Sequence, residues 1–166
     1  MRLFAGIFPD EYALEKIIEV QTEFKKTLNQ KASWTKREKL HITLRFFGDD
    51  AEPEKAAAIV SDAIKDIREF QVSLVNLSGF PKPYRARVAF LEPIQSDYLM
   101  DFARNITPPD ERNPHPHLTL ARLTPPQQLP KIAFEPIEFS AKKVLLVQSI
   151  LSGDNQGYHV LNEWKL

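Results

Sequence analysis

The 166-residue sequence contains no cysteine. Disulfides, thiol nucleophiles and cysteine-ligated zinc are thereby excluded. Net charge is missing too. Lys+Arg and Asp+Glu stand at 22 each, so no broad basic face for long nucleic acid is imposed. A short stretch of nucleic acid, or only its end, stays compatible with that balance. No apolar run approaches the ~18 residues of a membrane span. The first such run, "RLFAGIF", is of strand length and too short for a signal h-region. A cytoplasmic, soluble protein with no membrane partner is the expectation. Histidine is scarce, at 4 residues. What is plentiful is ordinary globular material: 43% apolar and 27% charged residues, enough for a core in one domain or two small lobes. Thirteen prolines, in no low-complexity tract, imply sharp turns between short elements.

The apolar pattern predicts a buried strand over 2–8, stopped by Pro9-Asp10, with Asp10 capping a helix that runs to residue 28. Leu14, Ile17, Ile18, Gln21, Phe24 and Leu28 mark its inner face. A short strand at 33–35 and a clear one at 39–48 follow. Pro53 starts a second helix, with Ala56, Ile59, Val60, Ala63, Ile64 and Ile67 on one side. Strands are predicted at 70–80, 85–93 and 116–123, and a helix over 95–106 carries Tyr98, Leu99, Phe102 and Ile106. A loop is expected at 124–130, and 142–151 with 158–164 reads as a hairpin around "SGDNQG". Strands outnumber helices and short turns join neighbours, which favours α+β with antiparallel sheets over a doubly wound parallel sheet.

Two stretches carry chemistry. "LHITLRFF" (40–47) and "PHLTLAR" (116–122) both contain His-x-Thr-Leu, one in each half of the chain. Side chains two apart on a strand share a face. His41, Thr43 and Arg45 are expected on one face, with Leu40, Ile42, Leu44 and Phe46 on the other; His117 and Thr119 pair in the same way. If two lobes face each other, the cleft holds two imidazoles and two hydroxyls. Imidazole titrates near ~6.5, so one ring can take a proton while the other gives one. That suits in-line displacement at phosphorus, with each transfer worth roughly 10²–10⁴-fold. The hydroxyls can donate to non-bridging phosphate oxygens. The scheme requires no metal or other cofactor, and a strained cyclic phosphate is a fitting substrate.

The paired motifs resemble those of the two-histidine (2H) phosphoesterases. "RLFAGIFPD", Trp34 with "LHITLRFFGD", "GFPKPYRARVAF", "PHLTLAR" and the tail "SILSGDNQGYHVLNEWKL" are similar, in order, to the blocks of the RNA 2′,3′-cyclic phosphodiesterases, also described as 2′-5′ RNA ligases. Phe90 stands where that family commonly has tryptophan. The resemblance implies a single domain over 1–166, α+β, two-lobed and pseudo-symmetric, with antiparallel sheets flanking a central cleft and helices outside. It implies hydrolysis of RNA 2′,3′-cyclic phosphate ends to 2′-phosphates by breaking the bond to the 3′ oxygen. The reverse direction, 2′-5′ joining of RNA ends such as tRNA halves, comes with it. His41 is assigned as the acid on the 3′ oxygen and His117 as the base on water, an order the pseudo-symmetry allows to swap. Thr43 and Thr119 would bind the phosphate. The family's arginine after the second motif lands on Arg122, which strict alternation puts opposite His117, so a bulge or a long reach is needed. Arg45, Arg87 and Tyr84 are further candidates for holding RNA. A monomer is expected.

Other readings stand beside these. His115, His117 and His41 could ligate a metal, but no carboxylate cluster adjoins them in the sequence. Trp34 and Phe47 read as core, His159 as an edge residue, and the charges at 31–39 as a solvated loop that touches phosphates at most. Rival functions are a phosphodiesterase for a small cyclic nucleotide, and an RNA-end-binding protein without catalysis.

Overall fold

A computed structural model describes residues 2–28, 31–108, 114–151 and 156–166. Part of the expected 107–115 loop and most of the "SGDNQG" turn lie outside the described residues. In chain order the elements are β1 (Arg2–Ile7), α1 (Glu11–Thr27), β2 (Ala32–Trp34), β3 (Ile42–Gly48), α2 (Pro53–Ala63), β4 (Phe70–Phe80), β5 (Ala86–Pro93), α3 (Asp97–Ile106), β6 (Leu118–Gln127), β7 (Ile137–Ala141), β8 (Lys143–Ile150) and β9 (Gly157–Lys165). Among the described residues no helix is long and apolar enough to cross a membrane.

Local chemistry sets the helix ends. The Asp10 carboxylate accepts from the Ala13 N–H at 2.9 Å, while Lys25 and Lys26 sit in the last turn of α1, where the helix dipole favours cations. The buried face of α1 is Ala13, Ile17, Val20, Gln21 and Phe24. It is rotated from the expected stripe, so Leu14, Ile18 and Leu28 pack only at its flanks. Pro53 does open α2, but the helix stops at Ala63 and Ile67 reaches the core from the segment beyond it. Ile59 and Tyr98, both expected inside, are exposed. Ser96 caps α3 through the Leu99 N–H at 3.3 Å.

The strands form one antiparallel sheet in the order β7-β4-β5-β6-β3-β1-β8-β9, with β2 also paired to β6. The α+β expectation with antiparallel strands therefore holds. Two features depart from it. β7 is an addition to the expected strands, although Ile137, Phe139 and Ala141 alternate with outward residues and are buried. The 124–130 loop is shorter than expected, because β6 keeps pairing to Gln127, opposite Ala86. Pro125 and Pro126 lack N–H donors, and the register between Ala86 and Val88 shifts to pass them.

The sheet divides naturally in the middle. β7, β4, β5 and β6, with β2, form one half; β3, β1, β8 and β9 form the other. The halves meet where β6 pairs with β3, at Ile42 opposite Leu118. α1 packs by β7, whereas α2 and α3 pack on each other and on the β3, β8 and β9 half. The main core lies between helices and sheet. A smaller cluster of Phe4, Leu145 and Val147, flanked by Phe8 and Tyr158, lies elsewhere on the β1, β8 and β9 half.

Gln21 is the buried polar residue on the inner face of α1, 4% exposed. Its Nε2 donates to the carbonyls of Thr35 at 2.9 Å and Leu120 at 3.0 Å. One amide thus ties α1 to the segment after β2 and to the middle of β6. Replacing Gln21 by leucine keeps the volume and removes both donations, leaving the Thr35 carbonyl without this donor while the Leu120 carbonyl keeps the Thr35 N–H. Gln21→Leu should lower the unfolding free energy by about 1–3 kcal/mol in urea denaturation. An unchanged midpoint would show that water or relaxation already serves those carbonyls.

Candidate active site

The pairing of Ile42 with Leu118 fixes the site's plan. The strands are antiparallel, so stepping one residue away from that pair sets His41 opposite Thr119 and Thr43 opposite His117. Leu40, Ile42, Leu44, Leu118 and Leu120 are all buried in the main core. Alternation therefore turns the two histidines and two threonines to the other face together. The motifs end up side by side on adjacent strands, related by a local twofold.

Both rings are held alike. His41 Nδ1 lies 2.7 Å from the Lys39 carbonyl and His117 Nδ1 lies 2.7 Å from the His115 carbonyl. A carbonyl only accepts, so each Nδ1 carries the hydrogen and each neutral Nε2 is left with its lone pair to accept. Thr43 Oγ1 is 2.9 Å from His41 Nε2, where its hydroxyl donates to the neutral ring. His41 stacks on Phe4 and Phe8, with centroids at 4.6 and 5.1 Å, and meets the edge of Tyr158 at 5.6 Å. Gly6 permits this seat. A Cβ there would stand 2.9 Å from the Ile42 carbonyl oxygen and 3.2 Å from His41 Cδ2. His117 lies against Phe90 at 4.9 Å and Phe80 at 5.1 Å.

These aromatic seats have an electrostatic consequence. Burial lowers the His41 pKa to about 4, against the pull of the Lys39 carbonyl, and a charge on His117 adds to the effect. His117 is also lowered, first by burial and then by the charges of His115 and Arg122, while its bond to the His115 carbonyl opposes the shift. The repulsion between His41 and His117 reports their proximity.

Two adjoining cavities open over the motifs. One of about 330 Å³ is lined by Lys36, Lys39, His41, Thr119, Arg122 and Tyr158, among others. The other, about 230 Å³, includes Arg45, Thr107, His115 and His117. Thr43 and Phe46 border both.

The bulge that Arg122 needs is present. Ala89 pairs with Ala121 and Phe90 with Thr119, leaving Leu120 as an extra residue on β6. Alternation resets, and Arg122 comes to the face of Thr119. The Leu120 carbonyl released by the bulge accepts from Thr35 N–H and from Gln21. β3 carries the matching irregularity, with Leu44 extra between the Ala5–Arg45 and Gly6–Thr43 pairs. This corrects the expected faces there. Phe46, assigned to the core face, is 61% exposed and lines the cleft at the position that Arg122 takes in the second motif. Arg45 borders the smaller cavity, but its guanidinium donates to the Ile106 carbonyl at 2.7 Å and lies over Phe47 at 4.8 Å, tying β3 to α3.

Tyr84 and Arg87 are not brought to either cavity. Tyr84 lines a separate groove with Asn76, Leu77 and Lys131, and Arg87 is exposed on β5. Trp34 is half-buried, edge-on to Phe24 at 5.1 Å, and also borders the larger cavity. His159 lies exposed on the edge strand β9. His115 sits 3.9 Å from Glu92, and among the described residues no three metal-ligating side chains gather. Sequence reasoning missed Phe4, Phe8 and Tyr158 as site residues, and read Lys36 and Lys39 only as part of a mainly solvated 31–39 loop with a phosphate contact as its minor alternative. The Lys-x-x-Lys spacing was readable; the placement of Tyr158 depends on β8–β9 pairing and left no local sign.

The model of the 2′-5′ RNA ligase superfamily matches residues 8–150. A relative from Aeropyrum pernix, named RNA 2′,3′-cyclic phosphodiesterase, is 31% identical over 147 residues, covering 77% of this chain and 82% of its own. One of the same name from Methanothermobacter thermautotrophicus is 28% identical, covering 80% and 77%. Among solved structures, the Thermus thermophilus protein TT0787 matches 100% of this chain and 98% of its own with a TM-score of 0.76 at 23% identity, which shows the shared fold. E. coli LigT, solved with 3′-AMP, matches 99% and 97% with a TM-score of 0.74 at 23% identity. With both His-x-Thr strands inside the matched region, the chain belongs to the 2′-5′ RNA ligase superfamily of two-histidine phosphoesterases.

Proposed function

We propose that the chain hydrolyses RNA 2′,3′-cyclic phosphate ends to 2′-phosphates without a metal, as a single two-lobed domain acting as a monomer on cytoplasmic RNA. The observation that carries this reading is the pair of imidazoles anchored through Nδ1, lining two adjoining cavities that also present Thr43, Thr119 and Arg122. The names of the relatives support the substrate.

In this reading His117 Nε2 takes a proton from water as the water oxygen attacks phosphorus. The bond from phosphorus to O3′ breaks, and O3′ takes the proton of His41 Nε2. One water is consumed, and solvent exchange returns both rings to their starting forms. Thr43 and Thr119 donate to the non-bridging oxygens, the Thr43 hydroxyl turning from His41 to do so. Arg122 offsets the phosphate charge. With a 5′-hydroxyl in place of water, the same displacement forms a 2′-5′ linkage.

The acid role of His41 works against burial, which keeps that ring neutral in the free protein. A bound phosphate anion must therefore raise it, because an adjacent negative charge favours the protonated ring. The pH profiles carry that signature. Each pKa in the free protein is below its ordinary value, so the kcat/KM bell should peak on the acid side of pH 6.5. The kcat bell, which reports the complex, should lie at higher pH. Coincident bells, or one monotonic limb, would contradict this account.

His41→Ala and His117→Ala should each lower kcat by roughly 10²–10⁴-fold on a cyclic-phosphate-ended oligonucleotide, with the fold retained. A substrate with sulfur in place of O3′ needs no acid, since thiolate leaves unaided. It should restore most of the rate lost in His41→Ala and little of that lost in His117→Ala. Rescue of His117→Ala instead would exchange the two roles, and a wild-type rate in either variant would remove that histidine from the chemistry.

A further inference from the structure

The larger cavity holds more positive charge than a single cyclic phosphate calls for. Lys36, Lys39 and Arg122 all border it, and among the described residues no carboxylate does. That is a local excess in a chain whose charges balance as a whole. A cyclic phosphate diester carries one negative charge, which Arg122 alone matches.

The lysines are presented by local structure. A single 3₁₀ turn over Arg37–Lys39 follows β2. Residues three apart align on such a turn, so Lys36 and Lys39 fall on one side. Arg37 is turned the other way, with Nη2 2.7 Å from a Glu11 carboxylate oxygen and 2.9 Å from one of Glu15 on α1. Those pairs pin the turn and leave the lysines to the cleft. The Lys39 ammonium lies over the Tyr158 ring at 5.3 Å, and neither lysine pairs with a carboxylate among the described residues. The smaller cavity differs in kind. Its arginine, Arg45, is committed to the Ile106 carbonyl.

We infer that the larger cavity binds the phosphodiester one nucleotide upstream of the cyclic end, through Lys36 and Lys39, so that the protein reads an RNA chain end in preference to a free cyclic nucleotide. This rests on the hydrolase reading above and adds a direction to it: the polynucleotide leaves the site past the 3₁₀ turn. The lysines contribute through charge, and therefore discriminate by whether an upstream phosphate exists rather than by base.

Three substrates test it: cytidine 2′,3′-cyclic phosphate, the dinucleotide CpC ending in the same cyclic phosphate, and that dinucleotide with a neutral methylphosphonate linkage. The charged dinucleotide should exceed the methylphosphonate one in kcat/KM by roughly 10- to 100-fold, the size of one or two charge-assisted hydrogen bonds. The ratio should shrink as salt rises. In the Lys36→Ala/Lys39→Ala double variant the ratio should fall toward one. Equal rates for the two dinucleotides in the wild type, or a ratio unchanged by the double substitution, would overturn the inference while leaving the hydrolase reading intact. Failure to cleave any of the three would overturn both.

Discussion

One antiparallel pair, Ile42 with Leu118, is the constraint on which the rest of the site depends. It is where the two halves of the sheet meet. Because side chains alternate, burying those two residues in the main core obliges their neighbours to face the cleft. Because the strands run oppositely, the neighbours meet as histidine against threonine, twice. A slip of one residue would send all four into the apolar layer. The core thus specifies the site, and the cost of losing Leu118 or Ile42 from the core is what holds the register.

The pleat alone would not complete the arrangement. An extra residue in each motif strand, Leu44 and Leu120, resets the alternation beyond each threonine. On β6 this delivers a guanidinium to the cleft, and on β3 an aromatic ring. The twofold is therefore broken in chemistry while kept in backbone. The same asymmetry appears around the rings. His41 lies between two phenylalanines, with a tyrosine edge beside them, and loses more of its basicity than His117, which rests against Phe80 and Phe90. Desolvated imidazoles respond strongly to an arriving anion, since little water screens the two. In the proposed mechanism the two imidazoles are neutral while the site is empty and become a proton-carrying pair only when phosphate is bound.

Much of this was legible in the sequence, and the exceptions have physical causes. The His-x-Thr strands, the Asp10 cap and the proline start of α2 are local patterns, read from neighbours in the chain. The antiparallel α+β class followed from short turns between strands. The side of Arg122 and Phe46 was not legible, because bulges depend on what the partner strand presents, here β5 and β1. Arg45 borders the smaller cavity, as its spacing to Thr43 suggested, but a carbonyl at the end of α3 also holds its guanidinium, which the spacing did not show. Tyr84 and Arg87 belong to a block with family resemblance, but β5 carries Arg87 outward and the turn before it opens on another groove. The aromatic seat of His41 is assembled from β1, the residue after it, and β9, elements far apart in sequence.

The central claim is that His41 and His117 grip one phosphorus centre from both sides. A crystal structure of this protein with a nucleoside 2′-phosphate is the most direct measurement. The account predicts phosphate oxygens within ~2.7–3.1 Å of both Nε2 atoms, with Thr43 and Thr119 hydroxyls turned onto the remaining oxygens. A phosphate held by one histidine alone, or seated elsewhere with Thr43 still bonded to His41, would contradict it.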